Sequence, residues 1–147
     1  MFTFEKLKQQ QGMQTDKILK QYQLRVTGTR KQVLQLFLLK KGKALSHHHL
    51  ENHMNDSDRV TLYRTLKTFQ DHGLIHEVQD GSGTLKYALC HEACNHLEHF
   101  DNHAHFYCTA CEETICLDEV EAKMSAPSGY QLSETHILMK GLCDNCN

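Results

Sequence analysis

Apolar positions recur at helical spacing as far as Gly73 and then give way to short strand-like runs. Residues 1–13 are polar, Gln9-Gln-Gln-Gly12 included, and read as a frayed helix or an arm. Ile18, Leu19 and Tyr22 form a short helical face. Val33, Leu34, Phe37 and Leu38 follow at intervals of three and four, behind Thr27 or Thr29 as cap, which predicts a helix that Gly42 stops. Ser46 opens a second helix through Leu50 and Met54, broken at Asn55-Asp-Ser-Asp58. Ser57 or Asp58 opens a third, Val60 to Phe69, ending at Gly73. In it Leu62, Leu66 and Phe69 share one stripe. At about 100° per residue, Val60, Tyr63, Arg64, Lys67 and Thr68 occupy the rest of the surface.

Leu74–Val78 and Thr84–Leu89 flank Asp80-Gly-Ser-Gly83, a hairpin signal with turn residues in place. Three helices and a hairpin predict a winged helix-turn-helix, its third helix entering a major groove and its hairpin lying along the backbone. Arg64 suits a guanine edge, and Tyr63 can offer its ring to a thymine methyl and its hydroxyl to phosphate. Arg59, Lys67, Arg30, Lys31 and Lys86 suit phosphate contacts. A helical protein–protein module with a solvated basic face would show the same pattern.

Further on, Phe106 and Tyr107 begin a strand, Asp118–Met124 reads as a short acidic helix stopped at Ala126-Pro127, and a turn follows at Gly129. Ile137-Leu-Met139 reads as a closing strand. Cys108-Thr-Ala-Cys111 and Cys143-Asp-Asn-Cys146 each place two residues between two thiols, so both sulfurs of a pair can close on one ion. Together the four match the closed tetrahedral shell of a structural zinc; a redox dithiol or idle buried cysteines are the other readings. The 31-residue gap between the pairs exceeds that of a zinc ribbon and implies a small α/β unit between them.

Composition adds a polarity. Residues 1–90 carry 14 Lys+Arg against 8 Asp+Glu, a net of +6, and residues 91–147 carry 2 against 10, a net of -8. A basic front and an acidic, thiol-rich rear suggest a polyanion-binding module joined to something else, chance drift between two solvated surfaces being the alternative. No run approaches the ~18 apolar residues of a membrane span, and the N-terminus lacks a signal-peptide pattern. The seven cysteines are therefore expected in a reducing cytoplasm, binding metal rather than pairing.

With helix, wing and cysteines placed, the chain resembles the ferric-uptake-regulator (Fur) family of metal-responsive repressors. The residues that carry the resemblance are Arg59-Val-Thr-Leu-Tyr-Arg-Thr-Leu, which includes Thr61, and Gly73-Leu-Ile-His-Glu-Val. To these are added His103-Ala-His105-Phe-Tyr-Cys108-Thr-Ala-Cys111 and the terminal Gly141-Leu-Cys-Asp-Asn-Cys146. The resemblance spans residues 15–147 and implies an α+β fold: a winged-helix DNA-binding domain over 1–89, a metal-binding hinge over 90–103 and a small α/β dimerisation domain with a structural zinc over 104–147. It also implies a homodimer on a palindromic double-stranded DNA operator, a second, exchangeable metal per chain, control of metal-uptake genes, and Thr61 among the DNA contacts.

Against the iron-type pattern, Ala88 stands in place of a Glu, Cys116 replaces another Glu, and a hinge His falls near Ala44, with His47, His48 and His49 close behind. His76 and Cys90 match ligand positions of the zinc-sensing branch. Thiolate-plus-imidazole sets favour zinc, so a regulatory site of His76, Cys90, His103 and His105, with Cys116, points to zinc. Cys90 as a small wing residue and Cys116 as buried strand filler are the alternatives. His103 and His105, two apart on a strand, would face one side. A second regulatory site looks degraded, with Asn102, Ala104 and Lys123 at its positions and His136 beside the last. The His47–His49 run, with His53, reads as a solvated helix face.

Enzyme motifs do not survive scrutiny. His91-Glu-Ala-Cys-Asn-His96 spaces its imidazoles five apart, about 140° around a helix, rather than on one face. No Pro precedes Cys108 as a cytidine-deaminase site would need. The expectation is a non-enzymatic, zinc-dependent repressor with no membrane or small-molecule partner. An iron- or manganese-responsive regulator and a zinc storage or trafficking protein are the alternatives.

Overall fold

The computed structural model describes residues 4–54, 58–90, 103–121 and 124–147. Helix α1 (Phe4–Gln21) runs unbroken through the segment read as a frayed helix or an arm, so the helical alternative holds. Its polar length is tied to α2 (Gly28–Leu39) by Gln35 Nε2 donating to Gln11 Oε1 at 3.0 Å and by Lys31 pairing with Asp16 at 2.8 Å. α1 ends with Gln23 in the left-handed region (φ 58), Leu24 N–H bonding Leu19 O and Gln23 N–H bonding Lys20 O. This Schellman cap brings Leu19 and Leu24 together in the core. Thr27 caps α2, its hydroxyl accepting from Arg30 N–H.

Ser46 and Asp58 cap α3 (His47–His53) and α4 (Arg59–Asp71) in the same way. The stripe Leu62, Leu66 and Phe69 on α4 meets Val33, Leu34 and Phe37 of α2 and Leu50 of α3 in one buried cluster. α4 also closes with a Schellman cap: Gly73 takes φ 71, Leu74 N–H bonds Phe69 O, and Gly73 N–H bonds Gln70 O. The cap fixes the angle at which the chain leaves α4 for the wing.

The wing strands β2 (Ile75–Val78) and β3 (Lys86–Leu89) pair antiparallel as expected. Leu45–Ser46, which carried no strand signal, adds a third strand, β1, on the outer side of β3. Strand alternation gives the sheet two destinations. Ile75, Tyr87 and Leu89 face the helical core, whereas Val78 and Ala88 pack with Cys116 and Ala44 in a second cluster.

β4 (His103–Cys108), β5 (Thr114–Glu121) and β6 (Ile137–Gly141) form a separate sheet, β4 central, antiparallel to β5 and parallel to β6. The acidic helix expected over Asp118–Met124 is a strand as far as Glu121. Thr114 and Cys116 alternate inward and pair with β4, and that tertiary pairing overrides the helical preference of a few acidic residues. The outer edge of β5 is met by the loop after α2: Ala44 N–H donates to Thr114 O and Cys116 N–H to Gly42 O, both at 2.8 Å. No helix among the described residues is long and apolar enough to cross a membrane.

The head core makes a direct forecast. Phe69→Ala, at a fully buried position, should lower the stability of the folded chain by about 3–5 kcal/mol, read from denaturant unfolding.

Candidate metal centres and nucleic-acid surface

β4 and β6 are parallel neighbours, so the loops that leave them emerge at the same end of the sheet. The first carries Cys108 and Cys111, and the second carries Cys143 and Cys146. Thr109 N–H donates to Gly141 O at 2.8 Å and holds the two loops together. The four sulfurs all lie within 4.8 Å of one another, Cys111 and Cys143 at 3.9 Å. A tetrahedron with Zn–S bonds of about 2.3 Å has edges of about 3.8 Å, so the donor set and spacing fit zinc. Backbone N–H groups of Cys111 and Cys143 point at Cys108 and lower its thiol to about 6, Cys143 N–H lying 3.4 Å from the sulfur. Cys146, hydrogen-bonded by Cys143 and crowded by the other sulfurs, is pushed up to about 12.

A second group lies where the wing meets the C-terminal sheet. His76 projects from β2, His103 and His105 from β4, and Cys116 from β5, opposite His105 in the strand register. All four ligand atoms are within 4.8 Å of one another. His76 Nε2 stands 3.2 Å from His105 Nε2 and 3.9 Å from Cys116 Sγ. With Zn–N bonds of about 2.0 Å, two nitrogens of a tetrahedral site would sit about 3.3 Å apart, so this set also fits. His76, His105 and Cys116 are buried and His103 is half-buried.

Of the five expected donors, four form this group. Cys90 Sγ lies 3.5 Å from His76 Nδ1, on the ring edge opposite Nε2, and is not one of the grouped atoms. β3 ends one residue earlier, which leaves Cys90 behind the imidazole, whereas Cys116 is carried in by β5. Ala104 is fully buried in β4 and offers no ligand, and His136 is exposed beside Glu134. Asn102, Lys123, His91, Cys94, His96 and His99 lie outside the described residues.

Arg59, Val60, Tyr63, Arg64 and Lys67 form the exposed face of α4. Arg59, Val60 and Tyr63, with His47, His48, Thr84 and Leu85, line an open hollow of about 530 Å³ between α3, α4 and the wing. His47 and His48 had given only the pattern of a solvated helix face. Three expected contacts are otherwise engaged. Thr61 is half-buried and donates its hydroxyl to Asp58 at 3.0 Å within the helix cap. Lys31 pairs with Asp16, and Arg30 donates to Arg25 O at 3.0 Å.

Lys86 is drawn into the junction. Its ammonium lies 2.6 Å from Asp80 and donates to Glu112 O and Thr114 Oγ1, each at 3.0 Å, because alternation turns residue 86 to the same face as Ala88. Burial pushes the Asp80 carboxyl up, but Lys86, Ser82 and Thr114 outweigh it and hold the group well below the usual carboxylate range. In this arrangement the Lys86 ammonium faces the junction rather than open solvent.

Residues 21–140 match the Ferric uptake regulator family. The chain belongs to that family. Family membership makes it a metal-responsive regulator. Among its relatives, a ferric uptake regulation protein of Synechococcus elongatus is 30% identical over 132 residues, covering 83% of this chain and 85% of the relative. A zinc uptake regulation protein of Escherichia coli is 32% identical over 146 residues, covering 90% and 79%. A zinc uptake regulator solved with zinc and DNA superposes with a TM-score of 0.62 at 25% identity, covering 93% of each chain.

Cys143→Ser should remove one tightly held metal ion per chain and lower the melting temperature, since such binding energy is also folding energy. Metal analysis after gel filtration and a thermal melt check both effects.

Proposed function

We propose that this regulator senses zinc and represses metal-uptake genes in the cytoplasm by binding a palindromic double-stranded DNA operator as a homodimer. The observation that carries the reading is the junction group of three imidazoles and one thiol, His76, His103, His105 and Cys116, with no carboxylate among its described members. Iron and manganese favour sets with more oxygen, and soft sulfur with imidazole favours zinc. Cys108, Cys111, Cys143 and Cys146 are read as the holders of a permanent structural zinc.

Zinc bound at the junction supplies Lewis-acid bonds to those side chains and no other chemistry. His76 belongs to the winged-helix head and the other three to the C-terminal sheet, so binding favours the docked position of the head. Docking fixes where α4 points. In a two-fold dimer the paired helices then meet successive major grooves, about 34 Å apart. Operator binding and sensing-site occupancy strengthen each other by the same factor. Tyr63 and Arg64 present their side chains for base reading, while Arg59 and Lys67 suit phosphates. Cys90, behind His76, is read as a partner that orients the imidazole.

The relatives named for ferric uptake keep an iron-responsive reading in view. Operator titrations against buffered free zinc, iron and manganese decide between them: zinc should restore binding at the lowest free concentration, and restoration by iron or manganese where zinc fails would overturn the assignment. Arg64→Ala should cost about 1–3 kcal/mol of operator affinity and relax preference at one base position. A zinc store would instead bind zinc without any sequence-specific affinity for DNA.

A further inference from the structure

Beside the junction group, head and C-terminal sheet are also joined by hydrogen bonds in which no side chain of that group takes part. Asp80, at the base of the wing turn, has a side chain with 0% exposure, yet it lies within the head's own hairpin. Its Oδ2 accepts from Thr114 Oγ1 of β5 at 2.5 Å and pairs with Lys86, while Oδ1 accepts from Ser82 N–H at 2.9 Å. Lys86 bridges onward to Glu112 O and Thr114 Oγ1. A carboxylate and an ammonium have left water here, and each has partners on both sides of the junction. Breaking one link would leave the others under-satisfied in a dry place, which is costly.

A second strip runs beside the first. Gly42–Ala44 is bonded to β5 through Ala44 N–H to Thr114 O and Cys116 N–H to Gly42 O. Lys43 Nζ meets both oxygens of Glu113, at 2.8 and 2.7 Å. The loop therefore grips the backbone of Cys116 itself, and Gly42 supplies the left-handed turn there with a φ of 81. Val78, Ala88 and Ala44 pack against the Cys116 side chain from the head.

We propose that Asp80, Lys86 and Thr114, with the Gly42–Ala44 bridge, form a metal-independent latch that keeps the head docked and seats Cys116 against His76, and so sets the affinity of the sensing site. The claim about affinity rests on the zinc-sensing reading above; the claim about docking does not. Apparent affinity equals intrinsic affinity multiplied by the fraction of molecules in the competent arrangement. Three ligands on the sheet and one on the head form a site only in the docked fraction. Thr114 and Asp80 are thus positioning residues, acting through Cys116 and through the wing that carries His76. The latch also withholds Lys86 from DNA while it is closed.

Thr114→Val keeps the shape and strand preference of the side chain, leaves Asp80–Lys86 intact within the hairpin, and deletes the hydroxyl between the two units. Thr114→Ser restores the hydroxyl. In full-length protein carrying only the Cys108/Cys111/Cys143/Cys146 ion, amide hydrogen exchange at Ala44 and Cys116 should quicken about tenfold or more in the valine variant and stay near wild type in the serine variant. Zinc affinity of the junction site, measured against a competing chelator, should fall by about the same factor, with the four-cysteine ion retained as proof of folding. Lys43→Gln, which removes only the half-exposed pair with Glu113, should move both readouts the same way by about two- to threefold. Unchanged exchange in Thr114→Val overturns the latch. Faster exchange with unchanged zinc affinity overturns its control of the sensing site. If wild type takes up no second zinc, the zinc-sensing reading fails and the exchange result alone decides the latch.

Discussion

Side chains on a strand alternate between its two faces, so β2 cannot give Ile75 to the helical core without turning His76 and Val78 the other way. In the proposed function, that constraint ties recognition to sensing. The Schellman cap at Gly73 joins α4 rigidly to β2, and β2 delivers an imidazole to the seam with the C-terminal sheet. The exposed face of α4 and the ring of His76 are thus two ends of one stiff unit. Whatever fixes the ring relative to β4 and β5 also fixes the direction of the helix.

The two candidate centres differ in where their donors come from, and that difference underlies the roles proposed for them. The four cysteines sit on loops at one end of a single sheet, so an ion there would fasten β4 to β6 whether or not the head is present. The junction group draws donors from both units, so its occupancy must be linked to their relative position. Affinity that depends on docking is what a sensor requires, and affinity independent of it is what a staple requires.

Much of this was legible in the chain. Helical periodicity marked the buried stripe of α4, Thr27, Ser46 and Asp58 marked caps, and the turn residues around Gly81 marked the wing. The two-residue cysteine pairs marked the four-sulfur group without any structural help. Long-range geometry was not legible. Asp80 reads locally as a turn residue, and nothing near it in sequence announces Thr114, 34 positions away. Lys86 looked like a phosphate contact because charge is visible in a sequence and facing direction is not. Cys90 and Cys116 were both plausible donors by chemistry, and which sulfur joins the close group depends on the end of β3 and the pairing of β5 with β4, neither of them visible in the local sequence. The acidic run after Leu117 misled because local preference was weaker than its pairing.

The sealing of β5 by Gly42–Ala44 bears on how copies of the chain can aggregate or assemble. A three-stranded sheet has two borders where a foreign strand can add, and open borders invite unlimited stacking. Here the Thr114–Cys116 part of one border is already occupied from within the same chain, and among the described residues β6 has a strand neighbour on one side only. Over that stretch of β5, strand addition by a second copy is blocked. A foreign strand that meets this stretch finds its backbone N–H and C=O groups already taken, which is one way a sheet border is kept from templating a fibre.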